Sequence, residues 1–350
     1  MKIAVLVSGG VDSSVALRLL KEQGHDLTAF YLKIWLEDEL SYLGDCPWEE
    51  DLSYARQVCD QLNVPLQVVS LQEEYWSRVV AYTIEEIKAG RTPSPDIMCN
   101  QQVKFGAFFD KIDQSYEKVA TGHYAQIHDD QGLCKLKKAQ DPIKDQTYFL
   151  SHLSQAQLSR ALFPIGHLLK SELRELAEKF ELATQARKDS QGICFLGKIK
   201  FSDFIKHHLG EKPGDFIEVE TGKKVGTHKG FWFHTIGQRK GIGLGGGPWY
   251  VVAKDLEKNI VYISKEYYSE EKVRDQFDVH NINWILGKPP VNRDLQIKLR
   301  HGENVYEATL DLKDAHAGHV IINGNDQGIA PGQFAVFYDG DICLGSGKIC

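Results

Sequence analysis

The sequence lacks several features that would place it in a membrane or among metalloproteins. No apolar run approaches the ~20 residues that a membrane-spanning helix needs, and the first strand begins with no signal segment before it. The seven cysteines include no Cys-x-x-Cys pair, whereas zinc and iron–sulfur sites usually draw on closely spaced cysteines. We therefore expect a cytoplasmic protein with no metal site of its own. Its isolated thiols would be nucleophiles, redox partners or buried apolar residues.

Repeats, coiled-coil heptads and low-complexity tracts are also missing, and 350 residues predict two or three ordinary globular domains. The net charge of −7 does not favour nucleic-acid binding by the chain as a whole. Residues 221–254 are the exception, because they contain no Asp or Glu and interleave basic with aromatic residues. This stretch is either a nucleic-acid surface or a solvated face of a sheet, and composition does not decide between them.

A glycine- and serine-rich turn follows the first predicted strand. The apolar residues 3–7 lead into SGGVDSS (8–14) and then into an amphipathic helix. Glycines let the backbone approach a ligand, the helix N-terminus offers N–H groups to an anion, and Ser13 and Ser14 add hydroxyl donors. The turn lacks both the Walker lysine and the Gly-x-Gly-x-x-Gly spacing of dinucleotide folds. It resembles instead the pyrophosphate loop of ATP pyrophosphatases, which split ATP into AMP and pyrophosphate.

Strand and helix patterns alternate through the first half of the chain. This predicts a doubly wound parallel sheet, similar to that of the adenine nucleotide alpha hydrolases, with ligands beyond the carboxyl ends of the strands. Regular short strands in the last part predict a small β-barrel. We therefore expect a catalytic domain over 1–200, a small central domain over 201–264 and a C-terminal β-barrel over 265–350.

Local signals predict three further features. Ser154 begins a capping-box pattern, which predicts a helix over 154–162. Asp339-Gly340 predicts a hairpin turn between two late strands. His123, at the end of a predicted strand, is either a catalytic base or a hydrogen-bonded structural residue, and we favour the structural role.

Two cysteines stand in segments suited to chemistry. Cys99 closes the segment RTPSPDIMC (91–99), whose prolines exclude helix and would hold Asp96 and Cys99 in a fixed relation. Helical pattern resumes after Asn100, which predicts that Cys99 lies near a helix N-terminus, where a thiolate is favoured. Cys194 lies in DSQGIC (189–194) with lysines close by, which also favours a thiolate. On these residues alone, an incidental loop cysteine and a packed apolar cysteine remain alternatives.

Seven segments together resemble the tRNA-specific 2-thiouridylases, from the first strand to the last hairpin. In chain order they are SGGVDSS, RTPSPDIMCN, ATGHY, KDQTYFL, DSQGICFLG, HTIGQRKGIGLGG and PGQFAVFYDG. The first segment indicates only the ATP pyrophosphatase superfamily. The two cysteine segments and the GQRKG segment narrow the resemblance to this family.

The resemblance implies a two-stage reaction. ATP, with Mg²⁺, would adenylate the C2 oxygen of the wobble uridine in tRNA and release pyrophosphate. Cys194 is implied to carry sulfur as a persulfide, accepted from a sulfur-relay protein or a cysteine desulfurase. Cys99 is implied to release that sulfur or to resolve the persulfide into a Cys99–Cys194 disulfide. The products are 2-thiouridine in tRNA and AMP, and a reductant restores both thiols.

The resemblance also implies binding residues, and it makes the central domain, 201–264, a tRNA-contacting domain. The ATP contacts are Leu6, Val7, Ser8, Gly9, Gly10, Val11, Asp12, Ser13, Leu32 and Gly122. The tRNA contacts are Ser94, Pro95, Asp96, Lys144, Asp145, Gln146, Arg300 and His301. Asp96 is also placed to act as a general acid or base on the activated base. Ser94 stands where the family usually has Asn, and His301 where it usually has Tyr.

Two other functions are compatible with the loop. Another ATP pyrophosphatase, such as a tRNA-lysidine synthetase or an amidotransferase-type ligase, would share it but needs no cysteine pair. A non-catalytic nucleotide sensor would use the cysteines as a redox switch. Analysis of tRNA after incubation with ATP and a sulfide source separates the three.

Overall fold

The computed structural model describes residues 1–34, 48–189, 200–266 and 274–350. The first part contains five parallel strands, β1 (Lys2–Leu6), β2 (Asp26–Lys33), β3 (Leu66–Ser70), β4 (Lys118–Ala120) and β7 (Ala161–Leu162). They form one sheet in the order β3-β2-β1-β4-β7. Helices α1 (Val11–Glu22) and α2 (Trp48–Leu62) alternate with the first three strands. The predicted α/β fold is confirmed, and none of the described helices is long and apolar enough to traverse a bilayer.

The central strand β1 is covered on both faces, as expected of a parallel sheet. Ile3 and Val5 pack with α1 in one apolar cluster, whereas Ala4 and Leu6 belong to a second cluster on the opposite face. Leu6 pairs in register with a residue of β2, and Val5 with the last residue of β4. The carboxyl ends of these strands therefore meet at one edge of the sheet.

Two long helical segments pack on the second face. The first, α3, joins Gln72–Tyr75, Trp76–Val80 and Ala81–Lys88, and the second, α4, joins Pro95–Met98, Cys99–Ala107 and Phe108–Lys111. The middle part of each is π-helical, a geometry often found at functional sites. The prediction that helix resumes only after Asn100 is wrong. Pro95 occupies the first helical position, where its missing N–H costs nothing, so α4 starts four residues before Cys99.

The described residues contain four shorter α-helices, α5 (Thr147–Leu150), α6 (Gln155–Arg160), α7 (Lys170–Lys179) and α8 (Phe201–Leu209), and a 3-10 helix over Phe231–Phe233. The capping box at Ser154 is confirmed, since its hydroxyl accepts from the Gln157 N–H and the Gln157 side chain accepts from the Ser154 N–H. The helix predicted over 154–162 ends earlier, because residues 161–162 pair with β4 as strand β7.

After α8 the chain forms a small sheet of four strands: β8 (Gly214–Glu218), β9 (Lys224–His228), β10 (Tyr250–Asp255) and β11 (Ile260–Ser264). Their order is β10-β11-β8-β9. Phe216, Trp249, Val251 and Val261 form its buried core. This small unit has its own apolar cluster, separate from those of the parallel sheet.

The last part is a closed six-stranded barrel. Its strands are β12 (Gln276–Trp284), β13 (Asp294–Lys298), β14 (Tyr306–Leu312), β15 (Gly318–Ile322), β16 (Phe334–Asp339) and β17 (Ile342–Ile349), and β12 pairs with β17 to close it. The predicted hairpin turn at Asp339-Gly340 joins β16 to β17. A hairpin that the sequence did not predict, β5 (Gln126–Asp130) and β6 (Leu133–Lys137), extends the same sheet through β17. The division at residues 200 and 264 stays a prediction.

Candidate active site

The predicted phosphate loop, residues 8–14, connects β1 to α1 at the carboxyl edge of the sheet. Gly10 is the N-cap of α1 and supplies no side-chain cap, an arrangement typical of helix N-termini that bind anions. The hydroxyls of Ser13 and Ser14 donate to the Gly10 carbonyl at 3.1 and 2.8 Å. In this conformation the hydroxyls of Ser13 and Ser14 make hydrogen bonds within the loop, whereas Ser8 is exposed.

At Gly9, both the backbone conformation and the surrounding space exclude any residue with a side chain. Its φ is +73°, and a Cβ there would lie 2.2 Å from the carbonyl oxygen of Asp51. Arg187 donates to the Gly9 carbonyl at 2.7 Å and to Asp51 Oδ1 at 2.8 Å. The loop, α2 and the segment around residue 187 are thereby locked together.

Asp12, in the first turn of α1, is held by a cation and a hydroxyl. Lys170 Nζ lies 2.6 Å from Asp12 Oδ1, and the Tyr124 hydroxyl donates to the same oxygen at 2.9 Å. Burial, and after it the Asp12 carboxylate, raise the pKa of Tyr124, so its hydroxyl keeps its proton. These two contacts therefore hold the carboxylate in one position within the phosphate loop.

Three cationic side chains contact Asp189, the residue at which the second cysteine segment begins. Lys144, Lys170 and Arg174 donate to its carboxylate at 2.8, 2.9 and 2.5 Å. Burial alone would raise the pKa of Asp189, but hydrogen bonds from these cations outweigh it and hold that pKa well below its usual range. Because Lys170 also binds Asp12, the start of the second cysteine segment is tied directly to the phosphate loop.

The sequence analysis missed Lys170, Arg174 and Arg187. Lys170 and Arg174 are one turn apart on α7, a spacing that places both on one helix face. The spacing of these two cations was the one sequence signal that could have indicated a binding role for them. Their partners could not be read from the pattern, because the contact between Lys170 and Asp12 spans 158 residues.

The predicted nucleotide contacts outside the loop lie at the ends of neighbouring strands. Leu32 is in β2, two residues beyond Phe30, whose carbonyl accepts from the Val7 N–H at 2.9 Å. Gly122 follows β4, and a Cβ there would lie 2.7 Å from the backbone nitrogen of Ser13. The structure thus brings Leu32, Gly122 and the loop to one edge of the sheet.

His123 has the surroundings of a structural residue. Its Nδ1 lies 2.7 Å from Thr121 Oγ1, and its ring packs against Phe105 and Phe163 with centroids 6.4 and 6.0 Å away. Burial, and secondarily Lys104, lower the pKa of His123 well below 6.5, so the ring is neutral. These contacts support the structural role over the catalytic one.

Cys99 lies in the apolar cluster on the sheet face opposite α1. Its side chain is 2% exposed and shares that cluster with Ile97, Val103 and Phe105. It is the fifth residue of α4, past the first turn, so the helix dipole favours a thiolate less than at the predicted N-terminal position. Asp96 lies in that first turn.

A short segment links the surroundings of Cys99 to those of the phosphate loop. The Asn100 side-chain amide donates to the Phe149 carbonyl at 3.1 Å. Three residues earlier, Gln146 Oε1 accepts from the backbone N–H of Tyr124 at 2.9 Å, and Tyr124 binds Asp12. The turn before α5 therefore connects both halves of the predicted site.

Two predicted tRNA-contacting segments, far apart in sequence, meet at this turn. His301 stacks on Phe149 with centroids 4.7 Å apart, and its Nε2 donates to the Asp145 carbonyl at 3.2 Å. Arg300 pairs with Asp326 on the barrel.

Within that turn, the Asp145 carboxylate is 3% exposed, accepts from the Thr147 hydroxyl at 2.8 Å and forms an ion pair with Lys298 at 3.6 Å, so it serves the local structure. Of the other two predicted contacts in this turn, Lys144 and Gln146 are both partly exposed, Lys144 at 38% of its side chain.

The barrel also holds the segment that leads to Cys99. Glu86, which is 4% exposed, accepts from Arg91 at 2.8 and 2.9 Å and from Lys348 of β17 at 2.7 Å. Burial alone would raise the pKa of Glu86, but hydrogen bonds from Arg91 and Lys348 lower it. The Thr92 N–H donates to the Pro331 carbonyl at 2.8 Å. Residues 91–95 are therefore fixed from both sides.

Cys194 lies outside the described residues, so the prediction that it meets Cys99 stays a prediction. Within the described ranges, no group of three or more His, Cys, Asp or Glu side chains could hold a metal ion.

The parallel sheet, the phosphate loop and the strand-end residues define a nucleotide-binding α/β protein of the ATP pyrophosphatase class. The sequence profile of the tRNA methyl transferase HUP domain matches residues 1–198. The tRNA methyl transferase PRC-barrel domain matches 202–265, and the aminomethyltransferase β-barrel domain matches 274–349.

Similar proteins identify the family. The tRNA-specific 2-thiouridylase MnmA of Parabacteroides distasonis is 47% identical over 359 residues, covering 100% of this chain and 99% of that protein. The tRNA-specific 2-thiouridylase MnmA 2 of Bacteroides fragilis is 48% identical, with 100% of both chains covered. A solved 4-thiouridine synthetase–RNA complex with bound ATP covers 60% of this chain and 50% of that one at 15% identity, with a TM-score of 0.36. The chain belongs to the tRNA-specific 2-thiouridylase family, as the seven segments predicted.

Proposed function

We propose that this protein is a tRNA sulfurtransferase that uses ATP to convert the wobble uridine of tRNA to 2-thiouridine. One observation carries the assignment beyond family membership. Lys170 forms ion pairs with Asp12 of the phosphate loop and with Asp189, where the second cysteine segment begins, which supports a coupling of nucleotide and sulfur chemistry.

In the first stage, the phosphate loop would hold the pyrophosphate portion of ATP. The backbone of 8–13 and the N-terminus of α1 supply N–H donors, and Lys144, Lys170 and Arg174 supply positive charge without a Walker lysine. Mg²⁺ would arrive with ATP, since this ion commonly uses one or two carboxylates plus substrate phosphates, and Asp12 offers such a carboxylate. Leu32 and Gly122 would contact the rest of the nucleotide at the neighbouring strand ends.

In the second stage, the uracil C2–O bond breaks and AMP leaves, because adenylation has turned a poor leaving group into a good one. The terminal sulfur of a Cys194 persulfide either attacks C2 itself or is first released as hydrosulfide. In both routes the Cys99 thiolate attacks Cys194 Sγ, a Cys99–Cys194 disulfide forms, and a dithiol reductant returns two electrons. The persulfide sulfur would come from a sulfur-relay protein or a cysteine desulfurase. Asp96 would exchange a proton with the activated base.

Binding of tRNA would use the junction between the parallel sheet and the barrel. Lys144 lies in the turn before α5, His301 contacts the Asp145 carbonyl of that turn, and Arg300 lies next to His301. Ser94 and Pro95 begin α4 beside Asp96. Because Cys99 is 2% exposed, a tRNA base can reach it only after the residues that cover it move. The proposal therefore includes opening and closing of the site around tRNA.

Mass spectrometry of tRNA nucleosides tests the function. The protein is incubated with ATP, unmodified tRNA and a sulfide source, with pyrophosphate release measured in parallel. Expected products are wobble 2-thiouridine, AMP and pyrophosphate, and Asp12→Ala abolishes all three. AMP formed without a modified base would indicate another ATP pyrophosphatase, and ATP bound but not split would indicate a sensor.

A further inference from the structure

A second cavity lies apart from the phosphate loop, between the segment leading to Cys99 and the small four-stranded sheet. Its volume is about 130 Å³, and its lining includes Arg91, Pro93, Pro95, Trp232, His234 and Lys254. Neither Asp96, Cys99 nor any residue of 8–14 lines it. The cavity is therefore separate from the phosphate loop and from Cys99, and Pro95 is the one predicted tRNA contact in its lining.

His234, one of the lining residues, is a buried polar side chain. The residue is 7% exposed, and its buried Nδ1 has no hydrogen-bond partner among the described residues. Its ring is held in place by Phe216 and His228, with centroids 5.0 and 5.5 Å away. Buried polar atoms without partners are rare in folded proteins and often mark a place where a ligand completes the bonding.

Lys254 adds a positive charge that no acid in the lining offsets. Its ammonium donates to the Gly90 carbonyl at 3.0 Å, and the lining contains no Asp or Glu. Burial lowers the pKa of Lys254 to about 8. A desolvated ammonium whose one hydrogen-bond partner among the described residues is a carbonyl favours a ligand rich in acceptor oxygens.

The rest of the lining is mixed: Arg91, Thr92 and Thr235 are polar, whereas Ile87, Phe201, Trp232 and two prolines are apolar. The indole of Trp232 faces a cavity also bounded by two prolines, and a ring of this kind stacks on any nucleobase. The volume is well below the ~300 Å³ at which drug-sized sites begin, which fits a single base and excludes a whole nucleoside triphosphate.

We propose that this cavity binds one nucleobase of the tRNA anticodon loop next to the wobble uridine, an inference that rests on the proposed function. The reacting base itself must approach Cys99 and the nucleotide, which the cavity does not contain. A neighbouring base, splayed from the loop as single-stranded RNA bases commonly are, would stack on Trp232. Its carbonyl would accept from Lys254, and its polar edge would satisfy His234. This role resolves the acid-free stretch 221–254 in favour of RNA binding.

Kinetics with variants of the cavity test the proposal. Lys254→Met and Trp232→Leu should each raise KM for tRNA about tenfold, within the range of one base stack, with kcat and KM for ATP within about twofold of the parent. Trp232→Phe keeps a stacking face and should stay near wild type. Lys179→Met makes the same charge change at the exposed end of α7, outside the central domain, and should have no effect.

Abasic tRNAs identify the occupant. Two substrates lack the base immediately 5′ or 3′ of the wobble uridine. With one of these two tRNAs, wild-type protein should show the same tenfold rise in KM. With that same tRNA, Lys254→Met should raise KM no further. Unchanged KM in both cavity variants, fully additive losses with both abasic tRNAs, or a fall in kcat alone would each overturn the proposal. Failure of wild-type protein to thiolate intact tRNA would instead refute the proposed function. Thermal melts of each variant establish that it folds.

Discussion

Replacing Lys170 by Met tests whether the cation that joins Asp12 to Asp189 serves the nucleotide site. Its ammonium lies 2.6 Å from one carboxylate and 2.9 Å from the other, and its side chain is 15% exposed. A hydrogen bond to a charged group is worth about 1.5–3 kcal/mol, so losing this cation should raise Kd for ATP about 10- to 100-fold.

The same substitution should affect stability less than affinity. Asp189 keeps Lys144 and Arg174, and Asp12 keeps the Tyr124 hydroxyl. Because these groups are partly solvated, we expect a loss of about 1–2 kcal/mol, equivalent to a fall in Tm of roughly 2–8 °C. The assay is pyrophosphate release against ATP concentration, with equilibrium ATP binding and thermal melts on the same preparations.

A matched control lies on the same helix. Lys179→Met makes the identical change at the exposed end of α7 and should leave Kd for ATP unchanged. If Lys170→Met binds ATP within twofold of wild type while its Tm falls, Lys170 only supports the local fold and the assigned coupling is wrong. If both variants weaken ATP binding equally, the effect reflects net charge.

Three further predictions concern single sites. Gly9→Ala should cost at least about 1–2 kcal/mol, because φ is +73° and the new Cβ meets the Asp51 carbonyl, and pyrophosphate release should fall with Tm. Glu86→Gln should destabilise the protein by about 3 kcal/mol, since buried Glu86 binds Lys348 and Arg91, and urea unfolding measures this. Burial lowers the pKa of Lys254 from 10.5 to about 8. Between these two pH values the unfolded chain therefore binds more protons than the folded protein. Wild-type stability relative to Lys254→Met should therefore rise from pH 8 to 10.5, and equal pH profiles for both proteins would contradict the assignment.

Local sequence signals predicted the parts of the site that are contiguous in the chain. The loop at 8–14, the helix after it and the strand ends at Leu32 and Gly122 follow from hydrophobic runs, glycines and alternation. The capping box at Ser154 was predictable for the same reason, since its partner is three residues away.

Contacts between distant segments could not be predicted in this way. Lys170 pairs with a residue 158 positions away, and His301 with one 156 positions away. No periodicity encodes such pairs. The start of α4 was misjudged because two prolines suggested a break, whereas Pro95 is favourable at the first helical position. The pairing of the β5–β6 hairpin with β17 is likewise a tertiary property.

The transfer of labelled sulfur from Cys194 to the wobble uridine of tRNA tests the central claim most directly. Protein carrying a radioactive persulfide on Cys194 is mixed with ATP and tRNA for a single turnover without reductant. The account predicts label in the wobble 2-thiouridine and a Cys99–Cys194 disulfide in the digested protein, with neither formed when Cys194 is replaced by Ser. Labelled tRNA from wild-type protein with both thiols still reduced, or from the Cys194→Ser variant given the same persulfide donor, would contradict it.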